Sequence, residues 1–415
     1  MHRAQSRAGI RRHLAAGLGL VLAAGGTVPS LLGVVSVGDP SVQQARPADD
    51  PGWDSVVTPS TASGVYLGNR WVLTAGHVGF PANIVGSTGA VSSQPGSWVP
   101  LRSPDGAAET DLALFRLAAD PGLPVAETIT RPLALGTDVV LIGFGLQRGA
   151  AASYDANWVL GGTPVKYTGF QAAGWGRSWG RNRISGVLDT DYGVGPCRVY
   201  AAAFNKPGTG DSTTAEAMIA ACDSGGAIFA REDGRWRLAG TLVAFPDLPG
   251  QPYFTAIWGN DTWAMELSTY KNQIDAVLAL SDGYSIWQYQ NFRAAATSAS
   301  ADPDGDGFTN LEEYGFGLDP KAKNPRSAAP QIALAAYADG RALTATFTRN
   351  TLATDAVPVV EVSDDLVNWT AGAGATVELP SVALADEVER VTVRDAMPAA
   401  KAARRFMRVR VTRAP

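Results

Sequence analysis

Short apolar runs separated by Gly, Pro, Asn and Asp extend from Trp53 to about residue 262, and they constrain the fold more than any other feature. Residues 112–115, 139–142 and 227–229 are examples. Such runs are short for helices and are bounded by turn residues, so each predicts a strand. Many short strands without intervening helices predict a mainly β protein built on a closed β-barrel or a sandwich.

Composition limits the classes of function. Hydrophobic residues make up 46% of the 415-residue chain and charged residues 18%, which is typical of a globular protein with two or three domains. The net charge of −5 provides no basic stripe, so a nucleic-acid partner is not expected. The only two cysteines, Cys197 and Cys222, leave open a single disulfide or two separate buried thiols.

The N-terminal residues have the pattern of a secretory signal. Residues 1–13 contain four arginines and no acid, and an uncharged apolar stretch follows. Cleavage after Ala23 or Ala24 is the expectation, and an uncleaved anchor is the alternative because the chain stays uncharged through Gly38. We therefore assign residues 1–46 to a signal peptide and leader. The mature protein is expected to be secreted, or to lie at the cell surface or in the periplasm.

A single histidine remains after the leader. Of three histidines, His2 and His13 lie in residues 1–13, which leaves His77, followed along the chain by Asp111 and Ser224. An imidazole can accept the proton of a serine hydroxyl, and a buried carboxylate can orient that imidazole. These residue types, in this order, predict a Ser-His-Asp hydrolase. Taken singly, each has a structural alternative: a core histidine, a turn aspartate or an ordinary glycine-rich loop.

Three motifs resemble those of trypsin-like (chymotrypsin-type) serine proteases. Residues 73–77 (LTAGH) are similar to the family's Thr-Ala-Ala-His, residues 111–114 (DLAL) to its Asp-Ile-Ala-Leu, and residues 223–226 (DSGG) to the core of Gly-Asp-Ser-Gly-Gly. The resemblance covers about residues 53–282 and has the family's order of His, Asp and Ser. It implies a chymotrypsin-like double β-barrel with the three residues in the cleft between the barrels. In this arrangement His77 would be the general base, Asp111 its orienting group and Ser224 the nucleophile.

The resemblance also implies the function. We expect a secreted serine endopeptidase that forms an acyl-enzyme with a protein or peptide substrate and needs no cofactor for catalysis. The alternative is a catalytically weak or silent relative that serves in surface binding or adhesion. A C-terminal helix should close this domain, with its apolar face formed by Trp263, Leu267, Tyr270, Ile274 and Val277.

The chain departs from the family pattern at several positions. Cys222 stands where the family has the glycine whose N–H, with that of Ser224, forms the oxyanion hole, so distortion of the hole is expected. The family's serine in Ser-Trp-Gly, which supports the catalytic aspartate, has no match in residues 242–245. No Ile-Val-Gly-Gly precedes the first hairpin, so pairing of a new N-terminus with Asp223 cannot be assumed.

Primary specificity is predicted from one position. Six residues before Ser224 is Met218, where trypsin-type members carry an acidic pocket floor. An apolar floor argues against cleavage after Lys or Arg, unless Asp211 or another loop acid enters the pocket.

An acidic stretch after the predicted protease domain fits a twelve-residue calcium loop. Residues 302–313 (DPDGDGFTNLEE) have oxygen ligands in register. We expect one structural calcium ion to bind Asp302, Asp304, Asp306, the Phe308 carbonyl and Glu313, and to stiffen the joint between the flanking domains. The stretch resembles dockerin or thrombospondin type 3 loops and the linkers of secreted bacterial multidomain proteins. A solvated acidic linker is the alternative.

The remaining segments complete the predicted organisation. Residues 283–327 are assigned to a linker that contains the calcium loop, and residues 328–415 to a small β-sandwich. This module could contact glycan or the cell surface, or act as a spacer, and its sequence does not discriminate between these roles. The chain is expected to act as a monomer.

Overall fold

The structure, a computed structural model, describes residues 34–293, 298–385 and 387–413. The predicted signal sequence and its cleavage site lie outside these residues. The chain divides into two compact units, the first formed by Met1–Gln94 and Trp98–Ala279 and the second by Pro95–Ser97 and Leu280–Pro415. In the described ranges, no helix has the length and apolar character needed to cross a bilayer.

The first unit consists mainly of strands. They are β1 (Val35–Ser36), β2 (Val56–Pro59), β3 (Gly64–Gly68), β4 (Trp71–Thr74), β5 (Asn83–Gly86), β6 (Gly89–Ser92), β7 (Val99–Arg102), β8 (Glu109–Arg116), β9 (Asp138–Tyr154), β10 (Tyr167–Arg183), β11 (Gly186–Thr190), β12 (Cys197–Ala203), β13 (Ala217–Met218), β14 (Ala227–Glu232), β15 (Arg235–Ala244), β16 (Thr255–Ile257) and β17 (Asp261–Glu266). Helices α1 (Pro40–Gln43) and α2 (Leu267–Leu278) and short 3-10 turns at Trp53–Ser55 and Gly76–Val78 complete it.

Two antiparallel sheets organise this unit. The first has seven strands in the order β6-β5-β2-β3-β4-β8-β7, and the second has eight in the order β11-β12-β17-β15-β14-β9-β10-β16. The first sheet curls, since Ser93 after β6 bridges to Leu117 after β8. Each sheet has its own core, with Ile84 and Phe115 fully buried in the first and Leu141 and Ile228 in the second. The predicted mainly β fold is confirmed, and the two cores agree with a chymotrypsin-like double barrel.

The helix that ends the first unit is shorter than predicted. Helix α2 begins at Leu267 and buries Leu267, Tyr270, Ile274 and Val277. Trp263 belongs instead to β17, whose backbone pairs with both β12 and β15. The side chain of Glu266 caps α2 by accepting a hydrogen bond from the Ser268 N–H at 3.0 Å. The helical spacing of Trp263 was therefore coincidental.

The first unit also includes residues that we predicted to be leader or linker. Val34 and Val35 are buried, and Val35 pairs with Met218 between β1 and β13. The Trp179 indole N–H donates to the carbonyls of Val42 and Ala45 at 3.2 and 3.0 Å. The predicted boundary between leader and domain, in residues 46–53, is therefore wrong, because polar composition concealed a segment that is anchored by a few buried side chains.

In its described residues, the second unit contains two helices and eight strands. These are α3 (Gly283–Phe292), α4 (Asn310–Phe316), β18 (Gln331–Tyr337), β19 (Gly340–Asn350), β20 (Ala356–Ser363), β21 (Thr370–Ala371), β22 (Thr376–Glu378), β23 (Val382–Ala385), β24 (Val388–Asp395) and β25 (Phe406–Arg413), with 3-10 turns at Arg326–Ala328 and Ala399–Lys401. One sheet has the order β18-β19-β24-β22 with β23 paired to β24, and the other the order β21-β20-β25.

The predicted division into linker and β-sandwich is not present. Phe347 from the five-stranded sheet and Val360 from the three-stranded sheet share one core, as a sandwich requires. Tyr284, Phe308 and Tyr314, which lie in the predicted linker, are buried in that same core. Residues 283–292 and 298–318 are thus part of the folded module, because their aromatic side chains cover one end of its apolar interior.

Candidate active site

The first sheet brings His77 next to Asp111. His77 lies in the 3-10 turn directly after β4, and Asp111 lies near the start of β8, which pairs antiparallel with β4. The end of one antiparallel strand adjoins the start of its neighbour, so the two side chains meet. His77 Nδ1 lies 2.7 Å from Asp111 Oδ2, and the His77 backbone N–H donates to Asp111 Oδ1 at 2.8 Å. Both carboxylate oxygens therefore hold this one histidine.

Ser224 lies in the turn between β13 and β14, and β14 belongs to the second sheet. Its carbonyl accepts from the Ser63 N–H at 2.8 Å, while Gly225 N–H donates to the Leu242 carbonyl at 2.8 Å. Gly225 has φ +87°, and a Cβ there would lie 1.9 Å from the Ser63 carbonyl oxygen, so only glycine fits. This turn places Ser224 Oγ 2.8 Å from His77 Nε2. The structure thus brings His77, Asp111 and Ser224 together.

Exposure differs along this chain of hydrogen bonds. The Asp111 side chain is fully buried, whereas the His77 side chain is 22% exposed. A buried carboxylate acts on the imidazole with little screening by water, and an exposed imidazole edge can reach a substrate. With Nδ1 donating to Asp111, Nε2 is left to accept the Ser224 hydroxyl proton.

A residue missed in the sequence completes the environment of Asp111. The Tyr192 hydroxyl donates to Asp111 Oδ2 at 2.7 Å, on the same oxygen that faces His77. Tyr192 lies in the loop between β11 and β12, and no motif marks it. Burial, and next the charge of Asp111, raise the pKa of Tyr192 well above its usual range, so the phenol stays protonated. A tyrosine thus supplies a donor to Asp111, although residues 242–245 lack the family's serine.

The backbone before Ser224 presents two N–H groups. Cys222 has φ +75°, in the left-handed region that favours glycine. Among the described residues, neither the Cys222 N–H nor the Ser224 N–H donates to another backbone group. Burial, and next the neighbouring Asp223, raise the pKa of the Cys222 thiol to about 12. Cys197 and Cys222 are both free thiols and are not bridged, but only Cys197 is buried, while Cys222 is partly exposed.

Asp223 is a buried carboxylate with backbone partners. Its side chain accepts from the Val34 N–H at 3.3 Å and from the Ala220 N–H at 2.8 Å. Burial raises its pKa to about 8, although both hydrogen bonds act in the opposite direction. The carboxyl group is therefore mainly protonated below that pH.

Met218 does not form an open pocket floor. It is fully buried in a cluster with Val35, Phe204 and Ala256, because β1 covers the strand that carries it. Counting back from Ser224 located the strand but could not reveal this cover. The side chains packed against the cluster that keep some exposure include Leu146 and Phe245, both apolar.

In the second unit, the acidic loop brings its carboxylates together. Ligand oxygens of Asp302, Asp304 and Asp306 all lie within 4.8 Å of one another. Asp302 accepts from the Gly305 and Gly307 N–H groups at 2.8 and 2.9 Å, so the loop wraps around its first residue.

Glu313 is the remaining carboxylate of this loop. Its side chain is fully buried, and neither of its oxygens has a hydrogen-bond partner among the described residues. Burial, followed by the charges of Asp304 and Asp306, raises its pKa to about 8. Glu312 instead caps α4, accepting from the Thr309 N–H at 2.9 Å. Carboxylate oxygens such as those of Glu313 and the three aspartates are ligands that a hard cation prefers, and a bound cation would give the buried Glu313 carboxylate a partner.

Comparisons with known proteins match part of the chain to peptidases. Residues 62–237 match the family model of the trypsin-like peptidase domain, a segment that includes His77, Asp111 and Ser224. Among solved structures, the chain is similar to Kallikrein-related peptidase 10 at 17% identity and a TM-score of 0.35, covering 56% of this chain and 98% of that chain. No curated protein matches the chain. The family match supports a serine protease hydrolase in general and a protein or peptide substrate.

Proposed function

We propose that the protein is a secreted serine endopeptidase that cleaves peptide bonds through an acyl-enzyme on Ser224. The observation that carries the proposal is the continuous hydrogen-bonded path from Asp111 through His77 to Ser224, with steps of 2.7 and 2.8 Å. This is the arrangement that activates a serine hydroxyl.

The proposed chemistry uses only side chains and backbone of the first unit. His77 Nε2 takes the hydroxyl proton as Ser224 Oγ attacks the substrate carbonyl, and Asp111 stabilises the imidazolium. The oxyanion accepts hydrogen bonds from the N–H groups of Cys222 and Ser224, both of which are available. His77 then protonates the leaving amine, and a water molecule repeats the sequence on the acyl-enzyme.

Labelling with a fluorophosphonate probe tests this proposal. The full chain should be labelled, and Ser224→Ala should not. Ser87→Ala is the matched control, because Ser87 is an exposed serine of the same unit. A folded protein that is not labelled, or that is labelled equally in Ser224→Ala, would overturn the peptidase proposal in favour of a catalytically weak or silent relative.

We further propose specificity for apolar or small side chains before the cleaved bond. Support comes from the apolar character of the partly exposed residues next to the Met218 cluster, Leu146 and Phe245. Profiling with a peptide library should show little cleavage after Lys or Arg. Cleavage mainly after basic residues would instead implicate an acid such as the exposed Asp247, and Asp247→Asn should then reduce it.

Export is proposed from the basic and then apolar N-terminal residues 1–24. Expression of the full chain in a bacterial host, with N-terminal sequencing of extracellular and periplasmic protein, should give a start after Ala23 or Ala24. Recovery only of intact, membrane-bound chain would favour the uncleaved anchor.

We propose that the second unit binds one calcium ion through Asp302, Asp304, Asp306, the Phe308 carbonyl and Glu313. Two observations support it: the three clustered aspartates, and the buried Glu313, whose oxygens lack partners. A cation would neutralise carboxylates that otherwise repel one another. The ion would stabilise the second unit rather than a linker, because Phe308 is buried in that unit's core.

Calorimetric titration of the full chain with calcium tests this second proposal. About one ion per chain is expected, the content of a single twelve-residue loop. A titration without binding heat, together with an unchanged melting temperature in excess calcium, would reduce the stretch to a solvated acidic segment. A role of this unit in glycan or cell-surface contact stays a prediction, as does the monomeric state.

A further inference from the structure

We propose that Tyr192 is a positioning residue of this active site, holding the Asp111 carboxylate in the orientation that His77 requires. The inference rests on the proposed peptidase function and deepens it. Asp111 Oδ2 accepts two short hydrogen bonds, one from Tyr192 and one from His77 Nδ1, both at 2.7 Å. Rotation of the carboxylate would break both bonds together.

The loop that carries Tyr192 is fixed to the strand that carries Asp111. Thr110 Oγ1 donates to the Pro196 carbonyl at 2.8 Å. Gly195, at φ +100°, packs so closely on β8 that a Cβ would lie 2.2 Å from the Glu109 carbonyl oxygen. Both contacts involve the two residues just before Asp111 and the end of the loop. The phenol is therefore presented to the carboxylate by backbone anchoring and not by a freely moving side chain.

The loop is also rigid within itself. Asp191 Oδ1 accepts from the N–H groups of Gly193 and Gly195 at 2.8 and 3.3 Å, so the turn is closed around the residue before Tyr192. The Tyr192 ring lies against Trp263, with ring centroids 6.0 Å apart. A donor held on both sides keeps its place when substrate binds, which is the property required of a positioning group.

The electrostatic effect follows from where the bond is made. Asp111 is fully buried, so its charge is balanced by donors and not by water. Tyr192 withdraws part of the charge of Oδ2, which limits how strongly this oxygen attracts the Nδ1 proton of His77. Without this donor the carboxylate should rotate more freely and bind the imidazolium more strongly.

The test is Tyr192→Phe in the full chain, which removes only the hydroxyl. The turnover number and the rate of fluorophosphonate labelling should fall about 10- to 100-fold, the range for losing a hydrogen bond to a charged group, while KM changes less than about twofold. The acid limb of the pH profile should move to higher pH, because the imidazolium form is favoured.

Tyr200→Phe is the matched control. Tyr200 is another buried tyrosine of this unit, and its hydroxyl donates to Glu266 at 3.2 Å. This variant should lose stability and leave the acid limb in place. An unchanged turnover number and pH profile in Tyr192→Phe, or an equal shift of the acid limb in Tyr200→Phe, would overturn the inference.

A spectroscopic readout separates this inference from the proposed function. The proton NMR signal of His77 Nδ1–H, in histidine-labelled Ser224→Ala protein, depends on the hydrogen bond and not on turnover. Its pH midpoint should rise when Tyr192→Phe is added. If the NMR midpoint shifts but the chain with Ser224 intact does not react with the fluorophosphonate probe, the peptidase proposal is wrong and the positioning role of Tyr192 is kept. If the chain with Ser224 intact reacts with the probe but the NMR midpoint does not shift, the peptidase proposal is kept and the positioning role of Tyr192 is wrong.

Discussion

At the scale of single residues, Cys222 adopts a backbone conformation suited to glycine while its N–H remains available beside Ser224. Its φ of +75° is costly for a residue with a Cβ, on the order of 1–2 kcal/mol. Cys222 therefore carries backbone strain, while distortion of the oxyanion hole stays a prediction.

The first prediction concerns this residue. Cys222→Gly should preserve or raise kcat/KM, because both N–H donors are retained, and should raise the free energy of unfolding by roughly 1 kcal/mol. Activity assays and urea unfolding measure both effects. Asp233→Gly is the control, since Asp233 is an exposed residue with φ +51° in the hairpin turn after β14. It should gain stability with no change in kcat/KM. Loss of the fold or of activity in Cys222→Gly would assign a structural role to the thiol.

The second prediction concerns Asp223 and pH. Its pKa of about 8 in the fold exceeds the ordinary 3.8 because the carboxyl group is buried. The protonated form is favoured in the fold, so this contribution to stability is complete below about pH 4 and is lost as pH rises through about 8. In wild type the free energy of unfolding should fall by up to about 1.4 kcal/mol per pH unit in this range, and in Asp223→Asn this fall should be absent. Urea unfolding between about pH 5 and pH 8 should show wild type losing stability relative to the variant. Parallel curves would contradict the prediction.

Sequence motifs could identify His77, Asp111 and Ser224 because each sits in a short local pattern tied to its turn or strand. Tyr192 could not be found in this way, since its contact with Asp111 spans 81 residues and depends on how one loop packs on β8. The burial of Met218 could not be predicted for the same kind of reason, because the strand that pairs with its own comes from residues 35–36.

At the scale of elements, the acidic loop runs directly into helix α4. Thr309 and Glu312 make a reciprocal capping box at the start of α4, and Glu313 is the next residue of that helix. The twelve-residue spacing was readable from sequence. Helix α3 was not predicted from the sequence, and it ends at Phe292, well before the loop begins at Asp302.

The third prediction separates these two adjacent glutamates. Glu313→Gln should weaken calcium binding on the order of tenfold or more, since it removes one ligand charge while keeping the shape. Without calcium the same variant should be more stable than wild type, because a buried carboxylate without a partner is lost. Glu312→Gln is the control and should leave affinity nearly unchanged. Calorimetry and thermal unfolding, each with and without calcium, measure these effects; equal affinity losses in both variants would refute the assignment of Glu313.

At the scale of the whole molecule, the two units have separate cores. The first buries its own two sheet interiors, while the second has a single core that includes Phe308 and Tyr314. Composition indicated the change of texture after the last helix of the first unit. It could not show that residues 283–318 belong to the second core, since this depends on a few aromatic side chains.

The fourth prediction follows from this separation. A chelator should lower the melting temperature of the second unit and accelerate proteolytic nicking near residues 294–326, and it should change peptidase activity little. Magnesium added in excess of the chelator controls for ionic strength. A loss of peptidase activity in the chelator would show that calcium supports the first unit. Unchanged nicking and melting would show that the loop binds no ion that matters to stability.

The His77–Ser224 hydrogen bond joins the proposed base, next to the first sheet, to the proposed nucleophile, next to the second, 147 positions later in the chain. A growing polypeptide on the ribosome carries the base and its orienting carboxylate long before the nucleophile is made. Neither half can perform the proposed cleavage until the second sheet has folded against the first. The proposed cleavage therefore becomes possible only after both sheets have been synthesised and folded.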